Sequence, residues 1–214
     1  MSTGRVISIV GTGTVGRALA SALHDAGETI RFGARAPAAA RDALQRASPA
    51  LAAIPVSDIA QAVRCASTII LAVPFAAALK IVAMVEDWTD RILVDATNPV
   101  ILPDHSGLLL GTITSGAERI AEIAPSAKVV KAFSCAFPEV LVQPSLMSAA
   151  PFMPICGDDR AAVNMVIEIA RRLGFDGADC GSLKSARYIE PFTMLSVSLL
   201  LAGEPRGFAF TRIR

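Results

Sequence analysis

Short apolar runs alternate along this chain with segments in which apolar residues recur at helical spacing. A parallel strand covered by helices on both faces is apolar throughout, whereas a covering helix is apolar on one side only. We predict strands at 6–10, 29–33, 54–56, 68–73, 91–95, 128–133 and 152–156, with a short last strand in 175–180. The alternation predicts an α/β fold: a Rossmann-type, doubly wound, mostly parallel sheet with a small C-terminal helical segment.

Helices are predicted after the first strand and at 57–66, 75–85, 115–123, 160–173 and 182–202. Ser57 is expected to cap the helix that follows it, and Ser115 with Glu118 has the spacing of a capping box. Pro154 favours an edge position for its strand, and Pro191 is expected to kink or divide the last helix. Residues 101–112 show no clear period and predict a mobile loop. We expect a main domain over 1–181 and a helical segment over 182–214 that packs on it and on a partner subunit.

A glycine-rich turn of the form GxGxxG joins the first strand to the first helix. Gly11 permits a tight turn, Gly13 lets the backbone approach a pyrophosphate, and Gly16 lets the helix pack closely on the strand. The pyrophosphate would lie over free N–H groups at the positive end of the helix dipole. An ordinary glycine-rich turn is the alternative, but the flanking strand and helix favour dinucleotide binding. The predicted binding residues are Gly11, Thr12, Gly13, Thr14, Val15 and Gly16.

The end of the second strand indicates which dinucleotide is bound. An NAD site places an acidic residue there to accept hydrogen bonds from the ribose 2′-hydroxyl, whereas an NADP site replaces it with arginine. This chain has Ala34 and Arg35 at that position. A guanidinium can grip a 2′-phosphate through two charge-assisted hydrogen bonds. We therefore predict NADP(H), with a solvated surface arginine as the alternative interpretation.

Composition narrows the class of protein. The 214 residues, of which 53% are hydrophobic, suit one large domain or one domain with a small appendage. The formal net charge is only +1, and the sequence has no basic block, so we expect no nucleic-acid partner. The cysteines form no CxxC motif, so we expect neither a metal site nor disulfides. They are Cys65, Cys135, Cys156 and Cys180.

The sequence also predicts a soluble, cytoplasmic protein whose partner is a small molecule. The first strand starts almost at once, without the charged segment, apolar core and cleavage site of a signal peptide. The longest apolar helical stretch, 192–202, is interrupted by polar residues and is too short to span a bilayer. Reduced thiols are the expected state in that compartment.

The carboxyl ends of the later strands carry the remaining candidate groups, because ligands of doubly wound sheets bind there. Ala72, Val73 and Pro74 should pass under the ribose and nicotinamide side of the cofactor. Asn98 is expected to orient a carboxamide or an acceptor, although an Asn before Pro is equally explained by turn chemistry. Ser134 and Cys135 are further candidates for placing the acceptor.

No convincing general acid and base pair emerges from the sequence. Cys135 has no nearby histidine, since His24 and His105 lie in unrelated segments, so a small buried thiol is favoured over a nucleophile. Lys184 and Tyr188 share a helical face like the pair of short-chain dehydrogenases, but in reversed order and far from the nucleotide core. Asp158, Glu168 and Glu190 are interpreted as solvated helix charges or caps. Hydride transfer between two cofactors needs ring alignment more than proton transfer, so this absence favours it.

Taken in order, these motifs resemble the NADPH-dependent coenzyme F420 reductases, and the nucleotide domain is also similar to that of the STEAP ferric reductases. The resemblance extends nearly from end to end and rests on residues 11–16, 33–35, 71–74, 95–99, 115–118, 129–133, 157–159, 181–183, 186–187 and 190–191. It implies hydride transfer between nicotinamide and a deazaflavin, in a homodimer, with the acceptor ring laid over the nicotinamide in a mostly apolar cleft.

Three departures from this family concern the phosphate and acceptor sites. Ala34 stands where a serine is common, Ala39 stands where a further basic residue is common, and Ser134–Cys135 replaces Asn–Thr. A flavin, a chelated metal or a small carbonyl is therefore an alternative acceptor to coenzyme F420. We expect an NADP(H)-dependent oxidoreductase; the alternative is a non-catalytic NADP(H)-binding sensor or regulatory protein.

Overall fold

An eight-stranded sheet organises the chain, with strand order β3-β2-β1-β4-β5-β6-β7-β8. The structure, a computed structural model, describes residues 6–101 and 107–213. The strands are β1 (Val6–Val10), β2 (Thr29–Gly33), β3 (Val56–Ser57), β4 (Thr68–Leu71), β5 (Ile92–Asp95), β6 (Lys128–Lys131), β7 (Phe152–Gly157) and β8 (Asp176–Asp179). All neighbours pair in parallel except β6 and β7, which are antiparallel.

Helices cover both faces of the sheet. They are α1 (Thr14–Asp25), α2 (Pro37–Ala47), α3 (Pro49–Ala52), α4 (Ile59–Arg64), α5 (Phe75–Ala83), α6 (Gly116–Ile123), α7 (Pro138–Val142), α8 (Arg160–Arg172) and α9 (Ala186–Leu201), with 3₁₀ turns at Pro144–Leu146 and Leu183–Ser185. Successive strand residues face opposite sides: Ile7 and Ile9 enter a core shared with α1 and α8, whereas Val10 enters a second core shared with α5 and α6. The predicted doubly wound α/β fold is confirmed.

Proline placement corrects two of the sequence predictions. β7, predicted as an edge strand because of Pro154, lies between β6 and β8. The ladder with β6 reaches only Gly157 and Cys156, so Pro154 lies beyond it and leaves no hydrogen bond of that ladder unmade. Pro191 lies inside α9, which continues through it, so of the two predicted effects, a kink or a division, the division is wrong.

Local capping and loop structure differ from the predictions in smaller ways. The cap of α4 is Asp58, whose Oδ1 accepts a hydrogen bond from Gln61 N at 2.8 Å, while Ser57 ends β3. The capping box at Ser115 is confirmed, because its hydroxyl accepts from Glu118 N. Residues 102–106 of the predicted mobile loop, including His105, lie outside the described residues. Helices α2, α3 and α7 were not predicted.

The chain after α9 returns to the start of β7. Phe152 N donates to Phe210 O at 2.7 Å, and the Phe192 and Phe210 rings lie 4.8 Å apart between centroids. Arg212 makes two hydrogen bonds to the Asp176 carboxylate and lies over the Phe152 ring. The segment that follows α9 is thereby attached to β7 and β8. Among the helices of the described ranges, none combines the length and apolarity needed to cross a membrane.

A buried ion cluster links the sheet to α6 and α9. Lys131 Nζ lies 2.9 Å from Asp95 Oδ2 and 3.1 Å from Glu190 Oε1, and all three side chains are almost fully buried. Burial alone would lower the pKa of Lys131, but the two carboxylates outweigh this effect and raise the pKa above its ordinary value. Glu190 also accepts from Gly116 N and Ala117 N, so this residue caps α6 from a buried position and is not a solvated charge.

We predict that Lys131→Met lowers the free energy of unfolding by about 3–5 kcal/mol, because two buried carboxylates lose their common cation. Lys128→Met is the matched control. It lies on the same strand, but its ion pair with Asp159 is partly exposed, so its loss should cost at most about 1 kcal/mol. Urea denaturation followed by circular dichroism measures both values. Similar small losses in the two variants would contradict the importance of the cluster.

Candidate functional site

Two glycines allow the backbone of the turn between β1 and α1 to approach its neighbours closely. Gly11 has φ +118°, and a Cβ there would lie 2.3 Å from Ala72 O. A Cβ on Gly16 would lie 2.1 Å from Gly11 O. Both positions therefore exclude any side chain for reasons internal to the fold, as the motif predicts.

Gly13 differs, because a Cβ at this position would meet no protein atom within 4 Å. It is the N-cap of α1, which has no side-chain cap and no acidic residue in its first turn. The first N–H groups of a helix have no intrahelical acceptor, and the helix dipole favours an anion there. The space beside Gly13 is thus open, and the start of α1 favours an anion there.

The groups predicted to select the dinucleotide lie at the end of β2, beside β1 in the sheet. Ala34 is buried, and its N–H donates to Ser57 O. Arg35 is exposed, and its guanidinium makes no hydrogen bond or ion pair with the part of the chain that the structure describes. Its side chain is therefore free to meet an anionic ligand.

A cleft of about 720 Å³ opens at the carboxyl ends of β1, β4, β5 and β6. It brings together the predicted residues Gly13, Thr14, Val15, Ala72, Val73, Pro74, Asn98, Ser134 and Cys135. Gly11, Thr12, Gly16, Ala34 and Arg35 do not line it. The opposite wall comes from α9 and the segment after it, through Thr193, Ser196, Val197, Leu200, Leu201 and Arg206.

A bend in the chain after β6 brings Ser134 and Cys135 to the cleft. Phe133 has φ +62°, an unusual backbone conformation for a bulky residue, and its N–H points at Met153 Sδ. β6 ends two residues earlier, at Lys131, and Ser134 and Cys135 follow Phe133 directly. Such an outlier at a cleft is typical of a position held for function.

Three buried polar atoms in the cleft have no hydrogen-bond partner. Among the described residues, the buried side-chain polar atoms without a partner are Arg31 Nε, Thr97 Oγ1, Asn98 Oδ1 and Ser134 Oγ, and the last three belong to cleft residues. The other end of the Asn98 amide is engaged, since Nδ2 donates to Ser134 O at 2.9 Å. Buried polar groups are nearly always paired, so three unpaired ones in one cleft indicate a ligand or ordered water.

The cleft contains little that could transfer a proton. Burial raises the pKa of the Cys135 thiol to about 12, so it is protonated near neutral pH and is a poor nucleophile. Arg206 is the one permanently charged side chain among the described cleft residues, with Nη1 3.8 Å from Glu139 Oε1. Tyr188 and Lys184 are exposed and lie outside the cleft, unlike the pair of short-chain dehydrogenases.

Sequence reasoning missed the α9 wall and the hydroxyl of Thr97. Thr193 and Ser196 were noticed only as interruptions of an apolar helix, yet their spacing of three residues places them on one helical face, toward the cleft. Thr97 belonged to a predicted loop motif without a role of its own. In the described part of the chain, no three His, Cys, Asp or Glu side chains are placed to hold a metal ion.

Comparisons with known proteins agree with this geometry. Residues 6–99 match the family described as NADP oxidoreductase, coenzyme F420-dependent. A protein of Arthrobacter sp. FB24, named as a candidate F420-dependent NADP reductase, has a structure with a TM-score of 0.81 and 26% identity, covering 98% of this chain and 100% of that one. A hypothetical protein of Sinorhizobium meliloti gives a TM-score of 0.74 and 29% identity, covering 86% of this chain and 89% of that one.

A curated relative is longer than this chain. The metalloreductase STEAP3 of Rattus norvegicus is 31% identical over 189 residues, which make up 86% of this chain but 35% of STEAP3. The chain therefore spans about a third of the length of this relative. The resemblances predicted from the sequence, to F420-dependent reductases and to STEAP reductases, are both confirmed.

We predict that Gly13→Val prevents dinucleotide binding without unfolding the protein. The new side chain meets no protein atom but fills the space where a pyrophosphate would lie, and Gly13 has an ordinary extended backbone conformation. Calorimetric titration with NADP⁺, together with a thermal melt, tests both parts. Gly11→Val is the contrasting variant, which should unfold at lower temperature because its side chain collides with Ala72. Undiminished NADP⁺ affinity in folded Gly13→Val would contradict the assignment.

Proposed function

We propose that this chain, which resembles the coenzyme F420-dependent NADP oxidoreductases over residues 6–99, is an NADP(H)-dependent oxidoreductase. In the proposed reaction a hydride moves between the nicotinamide and a second redox cofactor, most simply the deazaflavin coenzyme F420 or a flavin. The observation that carries this proposal is the mostly apolar cleft, which is continuous with the open space beside Gly13 and lies at the carboxyl ends of the central strands.

The chain's own residues can be given binding roles. The N–H groups at the start of α1 would hold the pyrophosphate, and Arg35 would pair with the 2′-phosphate. Ala72, Val73 and Pro74 offer a small apolar surface beside the ribose and nicotinamide, which lets a flat ring approach the backbone. Asn98, Ser134 and Cys135 would place the nicotinamide and the acceptor.

The nature of the cleft supports transfer between two rings. When bound, the nicotinamide supplies or accepts the hydride, and the protein must then align two rings and exclude water. The neutral thiol of Cys135 and the permanently charged Arg206 offer no acid and base pair, which reduction of a small carbonyl would need. Arg206 at the end of the cleft favours an acceptor with an anionic substituent, as a phosphorylated flavin has.

We also propose a cytoplasmic homodimer in which the segment 182–214 packs on the 1–181 domain and on a second copy. Its support is the side of α9 away from the cleft, where Tyr188 and Leu195 share a face and are at least half exposed. Exposed apolar side chains along one helix are typical of protein–protein contacts.

We predict that the protein binds NADPH at least tenfold more tightly than NADH. Arg35→Ala should weaken NADPH binding by about 1.5–3 kcal/mol, the usual range for hydrogen bonds to charged groups, and leave NADH binding nearly unchanged. Arg46→Ala, at the far end of α2, is the matched control and should change neither. Fluorescence titration of the wild type and both variants with NADPH and with NADH gives the six affinities. Equal losses for NADPH and NADH would show that Arg35 does not recognise the phosphate.

Turnover separates the enzyme from a sensor that binds NADP(H) without chemistry. We expect anaerobic oxidation of NADPH with at least one of coenzyme F420, FMN and a ferric chelate. With the best acceptor, Cys135→Ser, Tyr188→Phe and Lys184→Ala should each keep turnover within about tenfold, since acid or base roles contribute ~10²–10⁴-fold. Binding without turnover across the panel would favour the sensor. A thousandfold loss in one folded variant would mean that the protein supplies a reacting group.

A further inference from the structure

We infer that Thr97, Asn98 and Ser134 form a subsite for a primary carboxamide, and that its occupant is the carboxamide of the nicotinamide ring. The inference rests on the proposed use of NADP(H) and adds which atoms of the chain form hydrogen bonds with the nicotinamide ring's carboxamide. The three residues follow β5 and β6, adjacent strands of the sheet, and all line the cleft.

The three unpaired atoms, Thr97 Oγ1, Asn98 Oδ1 and Ser134 Oγ, are buried, so bulk water does not replace the missing hydrogen-bond partner. Thr97 is 3% exposed and Ser134 is 8% exposed, so neither hydroxyl has ready access to bulk solvent. A buried polar atom without a partner costs free energy, and a fold that keeps three of them beside one cleft gains when a ligand pairs with them. The backbone of Thr97 is paired at both polar atoms, because Thr97 N donates to Asp95 Oδ1 and Thr97 O accepts from Lys131 Nζ.

The hydrogen bond of the Asn98 side chain fixes what this subsite can accept. Asn98 Nδ2 donates to Ser134 O, which assigns the free end of the amide as Oδ1, an acceptor only. Its partner must therefore carry an N–H or O–H group. The hydroxyls of Thr97 and Ser134 can each donate, and so can serve an acceptor on the same ligand.

A primary carboxamide offers this combination in one planar group, with two N–H donors beside one carbonyl acceptor. A carboxylate or a ketone lacks the donor and would leave Asn98 Oδ1 unpaired. The position along the sheet also suits the nicotinamide end of the dinucleotide. Arg35 follows β2 on one side of the glycine turn, whereas β5 and β6 lie on the other side, beyond β4.

An analogue of NADP⁺ in which a methyl group replaces the amide NH₂ tests this assignment by binding alone. The 3-acetylpyridine analogue keeps the carbonyl but loses the donor that Asn98 would receive. We expect the wild-type protein to bind NADP⁺ roughly fivefold to tenfold more tightly than the analogue, as measured by calorimetry. Asn98→Ala should bind the two ligands with nearly equal affinity, because the discriminating acceptor is gone.

Further variants separate the two halves of the carboxamide. Thr97→Val and Ser134→Ala should weaken both ligands by similar factors and keep the wild-type ratio, since the carbonyl is common to both. Asn164→Ala, on an exposed position of α8, is the matched control and should leave affinities and ratio unchanged. Thermal melts establish that each variant is folded, and the Thr97 and Ser134 variants test the subsite even if Asn98→Ala fails to fold.

The outcomes distinguish this inference from the proposed function. If the wild-type protein binds NADP⁺ and its analogue equally, or if folded Asn98→Ala keeps the wild-type ratio, the carboxamide assignment is wrong while NADP(H) binding stands. Unchanged affinities in both hydroxyl variants would also overturn it. If the wild-type protein binds neither ligand, the proposed function fails together with the inference.

Discussion

The arrangement of the cleft depends on the contacts that the buried ammonium group of Lys131 makes with three parts of the chain. It lies at the end of β6 and bonds to Asp95 at the end of β5, to the carbonyl of Thr97 in the cleft, and to Glu190 on α9. The floor of the cleft and its opposite wall are thus held to the same cation. A charge buried this deeply is tolerated only when its partners are all in place, so the cluster favours one relative position of sheet and helix.

How much could be read from the sequence depended on the distance between interacting residues along the chain. The turn at 11–16 is a local motif, and its strand, its helix and the close backbone approaches at Gly11 and Gly16 were predicted correctly from a few neighbouring residues. Glu190 was misread because its hydrogen bond to Gly116 spans 74 positions, and nothing in its own helix distinguishes a buried carboxylate from a solvated one. The edge rule for Pro154 failed for a related reason, since it assumes a full-length ladder that β6 does not provide.

In the candidate site, too, the parts set by local sequence and topology could be predicted, whereas the parts set by contacts between distant residues could not. The strand ends that carry Ala72, Asn98 and Ser134 were predictable, because topology alone brings the carboxyl ends of parallel strands to one edge. The wall supplied by α9 was not, since its docking depends on the ion cluster and on the contacts of the tail with β7. Sequence reasoning therefore placed the half of the cleft formed by the strand ends better than the half formed by α9.

The contributions to the cleft fall into two blocks of the chain. All of its sheet-side lining lies between residues 13 and 138, and the facing wall lies between 193 and 206. Sequence changes in one block can therefore alter one wall of the cleft without altering the other. Exchange of a single contiguous stretch among related sequences would remodel the wall that α9 and the following segment supply, while the lining at the strand ends stays unchanged. Glu190 and Arg212 hold the two ends of this stretch to the sheet, through Lys131 and Asp176 respectively.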